Sequence, residues 1–259
     1  MKWFHLFRAS LIASVRKPWI ILAHTAACFA AFGFVTFLGR GSESARMLPG
    51  VTGSAAMNLA AGMPALMCEH LSRRAGEGGV LQRLSLSPAG AGMTSSAMMA
   101  AGTLAGLFES TLILAFSLAL GAPFLPRMLL AIPAALPEIL FFSSVGIWAG
   151  CMLSRNAAWM VCGLGVSACG VWLSHLVIDP SMLPPWLARA VSLTPHAAFT
   201  SLIHAFFFSG EAFSPRAALL AGIYAIAGLS AGTIAEAAEW ADRKRTGKVM
   251  GSYRTNELF

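Results

Sequence analysis

Charge is what this chain has least of. Only 11% of its 259 residues are Asp, Glu, Lys or Arg, while 57% are apolar; soluble domains carry about 25% charged and about 45–50% apolar residues. Such a chain has too little polar surface to cover a core in water. Acids are the scarcer sign, 11 against 18 cations, and the net charge is +7. In a soluble protein that balance would point to nucleic acid. Here the cations sit in short loops and at the termini, a distribution that membrane topology explains, so no nucleic-acid partner is expected.

Paired cysteines are missing too. Cys28, Cys68, Cys151, Cys162 and Cys169 lie in or beside apolar segments, and none forms a C-x-x-C spacing. Neither a disulfide framework nor a zinc site is indicated. Cys162 and Cys169 share a helical face with His175 following, which small packing residues explain without a metal. A phosphate-cradling loop is also absent: Val249 follows Gly247-Lys248, and Asp242 stands where the leading glycine of G-x-x-x-x-G-K-[ST] belongs. ATP, if used, is expected on another polypeptide. No inverted repeat is evident, which disfavours the secondary-transporter class.

What is present is oil. Mean hydropathy is +0.70, and apolar runs of about 20 residues, the length that crosses a bilayer, cover 18–39, 47–68, 92–120, 128–153, 157–178 and 216–237. The expected fold class is an all-α polytopic membrane protein with six transmembrane helices. With the N-terminus inside, thirteen of the 18 Lys and Arg fall on inner segments and five on outer ones. That bias places both termini in the cytoplasm. Residues 1–240 then form one transmembrane domain, and 241–259 a polar cytoplasmic tail.

Three segments do not fit simple spans or loops. In the first 17 residues, Lys2, Arg8, Arg16 and Lys17 are interspersed with Trp3, Phe4, Phe7 and Leu11. A cleaved signal would hold its cations apart from its apolar core. Trp3, Phe4, Phe7, Leu11 and Val15 instead make one helical stripe, with Leu6 and Ile12 outside it, as in an amphipathic interfacial helix. Residues 179–215 are too apolar for a solvated loop, yet Pro184, Pro185 and Pro195 break them into pieces too short to cross. Short outer re-entrant helices satisfy both facts. The third segment, 69–91, mixes acid, base, a glycine turn and apolar knobs. Glu69/Arg73 and His70/Arg74 are i,i+4 pairs, Gly76, Gly78 and Gly79 turn the chain, and Pro88 ends the segment.

Ionisable residues inside apolar spans are expensive and mark candidate sites. Glu109 and Glu138 are the two acids so placed, and Pro133 and Pro137 frame Glu138 with the capacity for a bend. Each carboxyl has two readings: a substrate or proton contact, or a hydrogen-bonded group holding neighbouring helices together. His24 and His175 are similar cases, better explained as hydrogen-bonded structural imidazoles. G-x-x-x-G spacings at Gly102/Gly106, Gly146/Gly150 and Gly228/Gly232 are compatible with close helix packing. Ser167, in Gly165-Val166-Ser167, resembles the serine of intramembrane rhomboid proteases. That chemistry needs a histidine on a later span, and the sixth span has none.

In segment 69–91 the chain resembles the permease subunits of the type-2 ATP-binding-cassette (ABC) export family, in its small drug- and lipid-exporter branch. That family carries a Glu-Arg-x-x-Gly-Thr-x-x-x-Leu-x-x-(Ser/Thr)-Pro pattern between its second and third spans. The matching residues are Glu69, Arg73 and Arg74, Gly76 or Gly78, Leu81, Leu84, Ser87 and Pro88. Leu48-Pro49-Gly50 is similar to the Pro-Gly pair that opens the second span. Leu183-Pro184-Pro185-Trp186-Leu187 and Leu193-Thr194-Pro195, closed by Gly210, are similar to its outer helices. Two departures stand out. Arg73-Arg74-Ala75 stretches the run before the glycine, leaving Glu69 and Glu77 as alternative matches, and Thr194 replaces the usual Asn.

The resemblance implies a transport subunit that is not itself an enzyme. Two permease subunits, as a homodimer or a paralogous heterodimer, would stand above two separate ATP-binding subunits that bring ATP and Mg, in the cytoplasmic (inner) membrane of a bacterium. No cofactor is expected in this chain. The coupling helix would involve Glu69, Arg73, Arg74, Gly76, Glu77, Arg83, Leu84 and Pro88, and Glu109, Glu138, His24 and His175 would be path or intramembrane polar contacts. The expected cargo is an amphipathic drug, antibiotic, lipid or lipid-linked compound. Export of a lipid-linked glycan and an intramembrane enzyme are the alternatives.

Overall fold

The structure, a computed structural model, describes residues 2–15, 91–119, 126–152, 183–206 and 214–246, together with Ala26, Ala30, Gly53, Met57, Asn58 and Gly62. Among the described residues every element is helical: α1 (Lys2–Val15), α2 (Ala91–Ala119), a 3-10 turn (Pro126–Leu130), α3 (Ala131–Ala134), α4 (Leu136–Met152), α5 (Pro185–Ser192), α6 (Pro195–His204) and α7 (Pro215–Thr246). Three stretches are long and apolar enough to cross a membrane: Ser96–Ala119, Pro126–Gly146 and Pro215–Ile234. They correspond to the third, fourth and sixth expected spans. The first, second and fifth, and the segment 69–90, lie outside the described residues apart from the six single positions.

Helix α7 shows most directly which solvent the fold is built for. Among its described positions the buried ones are Ala217, Ala221, Ala225, Gly228 and Gly232, a stripe of the smallest residues at helical spacing. Its exposed positions include Leu219 at 65% and Ile226 at 66%. A water-soluble helix points its large apolar residues inward. Here they face out, and small residues let backbones approach, as in helices packed within lipid. The approach is close: a Cβ on Gly228 would lie 2.9 Å from Phe141 Cδ2, and one on Gly232 would lie 3.2 Å from the Ser144 carbonyl oxygen. α4 is therefore the partner of this stripe. On α2, Gly102 and Gly106 are buried while Phe108 is 63% exposed, the same inversion.

Prolines set the helix boundaries. Pro185, Pro195 and Pro215 each open a helix, where a missing N–H costs nothing and the fixed φ is already helical. Thr194 Oγ1 accepts from Ala197 N, and Ser214 Oγ accepts from Ala217 N, both at 3.3 Å, so α6 and α7 are capped by side chains. The fourth expected span is not one continuous helix: it divides at Ala135, between Pro133 and Pro137. Pro137 has no N–H to reach back to the Pro133 carbonyl. The backbone passes through the break on Ala135 N to Ala131 O and Ile139 N to Ala135 O, both 3.0 Å.

At the N-terminus α1 is a helix, as its pattern predicts, but burial along it does not follow the apolar stripe. Leu6, which interrupts the apolar stripe, is the buried residue, while Phe4 on the stripe is 59% exposed. Trp3 and Phe7 stack with ring planes 3° apart, and Trp3 Nε1 donates to Ser96 Oγ at 3.0 Å, docking α1 onto α2.

α5 and α6 form a helical hairpin. Neither, at eight and ten residues, approaches the roughly 20 needed to cross a bilayer. α6 runs antiparallel to α3 and α4: His196 meets Phe142, Phe199 meets Phe141 and Phe142, and Ile203 joins a core with Met128, Ala131 and Ile139. Its turn therefore lies against the middle of the long helices. The Tyr224 hydroxyl confirms this depth by donating to the Leu193 carbonyl in that turn. Tyr224 lies about 13 Å along α7 from Pro215, at 1.5 Å per residue.

Candidate functional site

Inside this packing lies a triad of polar side chains. Glu138 comes from the first turn of α4, Thr200 from α6, and Asn58 from the second expected span. All three are buried, Glu138 with 1% of its surface exposed. In the orientation that satisfies both neighbours, the Asn58 amide oxygen accepts from Thr200 Oγ1 at 2.6 Å. Its nitrogen donates to Glu138 Oε1 at 3.1 Å and, more closely, to Oε2. An amide oxygen facing an ionised carboxylate would oppose two acceptors, so this orientation goes with charged Glu138.

The triad has a second self-consistent state. If Glu138 takes a proton, its hydroxyl can donate to the Asn58 oxygen. The amide nitrogen then faces Thr200 Oγ1, again at 2.6 Å. Rotating one amide by half a turn thus accommodates either protonation state of Glu138, whose proton must come and go separately, while leaving no buried polar atom of Asn58 without a neighbour. Bridging residues of this kind make a buried carboxyl tolerable where no water can reach it.

Aromatic rings enclose one side of the triad. Phe199, fully buried, lies between Phe141 (5.8 Å), Phe142 (6.3 Å) and Tyr224 (6.4 Å) by ring centroids. His196 sits 5.0 Å from Phe142. The other side is the apolar cluster of Met57, Ile113, Leu114, Ile139 and Ile203. Chemically, the arrangement joins three parts of the chain through one amide. It holds no paired nucleophile and base, and among the described residues no group of three His, Cys, Asp or Glu is placed to hold a metal.

Of the residues singled out in the sequence, Glu109 and Glu138 fall in the described structure and both are buried. Glu138 joins the triad; Glu109 lies on the buried face of α2 beside Ser110. His24, His175 and Ser167 lie outside the described residues, as do Glu69, Arg73, Arg74, Gly76, Glu77, Arg83, Leu84 and Pro88. Sequence reasoning passed over Asn58 and Thr200. Asn58 had a signal, being the one amide or ionisable residue between 47 and 68, where a polar side chain needs a partner. Thr200 had none, because a threonine in a helix can bond its own backbone.

Comparison of the chain with protein-family models, with curated proteins and with solved structures gives no match.

Proposed function

We propose that the chain is the membrane-spanning permease subunit of an ABC exporter, moving an amphipathic compound outward and powered by a separate ATP-binding subunit. The observation that carries this reading is the α5–α6 hairpin. Two proline-opened helices too short to cross a bilayer stand immediately before the last long helix, and the second of them, with the turn that precedes it, packs against α4 and α7. With the segment 69–91 and the N-terminal helix, this is the order of parts that the resemblance implies.

The hairpin gives the proposed mechanism a physical route. It is joined to α4 through Glu138–Asn58–Thr200 and to α7 through Tyr224. A displacement of the long helices, driven by ATPase subunits closing beneath them, would carry the hairpin along. Such a drive works only if the ATPase binds the two permease states unequally. The segment 69–91 is the proposed place where that difference is felt, with Arg73, Arg74 and Arg83 as its cations.

Co-expression with the ATPase encoded nearest to it tests the reading. The full chain is expected to copurify with that subunit, and ATPase activity in a bilayer is expected to rise with an amphipathic substrate from a compound panel. Reversing Arg73, Arg74 and Arg83 to Glu should abolish the stimulation while the chain still inserts. Purification without any ATPase, or stimulation unchanged by the charge reversal, would overturn the assignment.

A further inference from the structure

Where α1 docks on α2, the two helices leave an open groove of about 520 Å³. Trp3 and Phe7 form its wall on α1, and Ser96, Ala100, Leu104 and Leu107 line it along α2. The volume falls in the range of pockets that bury small organic ligands, about 300–1,000 Å³. The wall is preformed: Trp3 and Phe7 are stacked at 5.5 Å, and the indole is held by its bond to Ser96.

The length of the groove identifies what fits it. Ser96 is where the membrane-crossing stretch of α2 begins, and at 1.5 Å per residue Leu107 lies about 16 Å further along. Half of a hydrocarbon core of about 30 Å is about 15 Å. The length of the groove therefore matches the depth of one leaflet. A crossing helix of another chain would need a full-length seam.

Charge identifies which lipid. α1 carries Lys2 and Arg8 and no acid, and the chain has no acid before Glu43. Arg8 is exposed, follows Phe7 directly, and makes no ion pair among the described residues. Phe4, Arg8 and Ile12 recur at i,i+4 spacing on the exposed side, a cation between two apolar anchors. This is the pattern of a helix that meets phosphate while its neighbours enter the acyl layer.

We propose that the groove binds one acyl chain of an anionic phospholipid from the leaflet bordering α1, with Arg8 meeting its phosphate group. The site does not depend on the transporter reading, and it would hold whatever the chain carries.

Native mass spectrometry of the full chain, titrated in detergent with phosphatidylglycerol or phosphatidylethanolamine, tests it. One phosphatidylglycerol per chain is expected to be retained, favoured about fivefold over phosphatidylethanolamine, the contribution of one basic residue near an anionic surface. Arg8→Gln should erase that preference and leave weak binding of both lipids. Ala100→Trp should fill the groove and remove both. Should that variant fail to give monodisperse protein, Leu104→Trp serves, since Leu104 is already half exposed. Equal retention of the two lipids by the unaltered chain, or lipid retention in the filled variant, would overturn the proposal. So would efficient disulfide formation between two chains bearing Leu104→Cys in a bilayer, which would make a second copy the occupant.

Discussion

With Glu138 ionised, Asn58 donates its amide hydrogens to the Glu138 carboxylate, and so joins the second expected span to α4. The same amide accepts from Thr200, bringing α6 into the contact at 2.6 Å. One asparagine thus links three segments that are far apart in the chain. The chemistry of an amide, donor on one side and acceptor on the other, is what makes a three-way joint possible.

Replacing members of the joint should separate its roles. Asn58→Leu leaves the Glu138 carboxylate and the Thr200 hydroxyl without their bridge, at a cost of about 1–3 kcal/mol per stranded group. Glu138→Gln keeps an acceptor for Asn58 and should lower stability by less than about 1 kcal/mol. Thermal unfolding of purified protein in one detergent measures both. If Glu138→Gln assembles normally yet transport is lost, the carboxyl takes part in the cycle. If transport persists, its role is to hold the helices together.

Tyr224 is the hairpin's second attachment. Tyr224→Phe removes the hydroxyl that bonds the Leu193 carbonyl while leaving the ring among Phe141 and Phe199. The expected loss is about 1 kcal/mol. Hydrogen exchange should accelerate in residues 190–197 and not in α2. A uniform change across both regions would mean that the bond does not tether the hairpin specifically.

The long apolar helices were legible in the sequence because length and composition alone define them: α2 and α7 begin within a residue of the expected spans, and the apolar stretch Pro126–Gly146 begins two residues before the expected 128, although α4 itself starts only at Leu136. The two short helices were legible from proline: Pro185 and Pro195, expected to break the segment into pieces too short to cross, each open one of them. Local pattern failed where a partner decided the outcome. Leu6 is buried although it lies outside the apolar stripe of α1, so tertiary packing and not local pattern decides it. Thr200 matters only because Asn58 is brought to it from a distant segment. The division at Ala135 was half visible: two prolines four residues apart allow a bend, and the helix divides midway between them.

The membrane orientation expected from the cation bias has a direct readout. Cysteines introduced singly at residues 45 and 80 in an otherwise cysteine-free chain should label from opposite sides of intact cells. An impermeant maleimide is expected to reach residue 45 from outside, and residue 80 only after permeabilisation. A cysteine at 255 should behave like the one at 80. Labelling of 255 from outside would show an odd number of crossings and would remove the sixfold span count.

Two glycines on one helix make the sharpest test of packing, because they differ in surroundings and in little else. A Cβ on Gly228 would meet Phe141 Cδ2 at 2.9 Å and the Phe141 Cα at 3.2 Å; a Cβ on Gly222 meets nothing within 4 Å. The phenyl ring can turn aside, but the backbone atom can yield only if α4 and α7 separate. Gly228→Ala should therefore destabilise the fold by about 1–3 kcal/mol, as overpacking does. Gly222→Ala should be neutral or stabilising by up to about 1 kcal/mol, since alanine restricts the unfolded chain and favours helix. Both are read by thermal unfolding in the same detergent. Equal effects at the two sites would mean that α4 and α7 do not meet along the Gly228–Gly232 stripe, and the small-residue seam would have to belong to another neighbour.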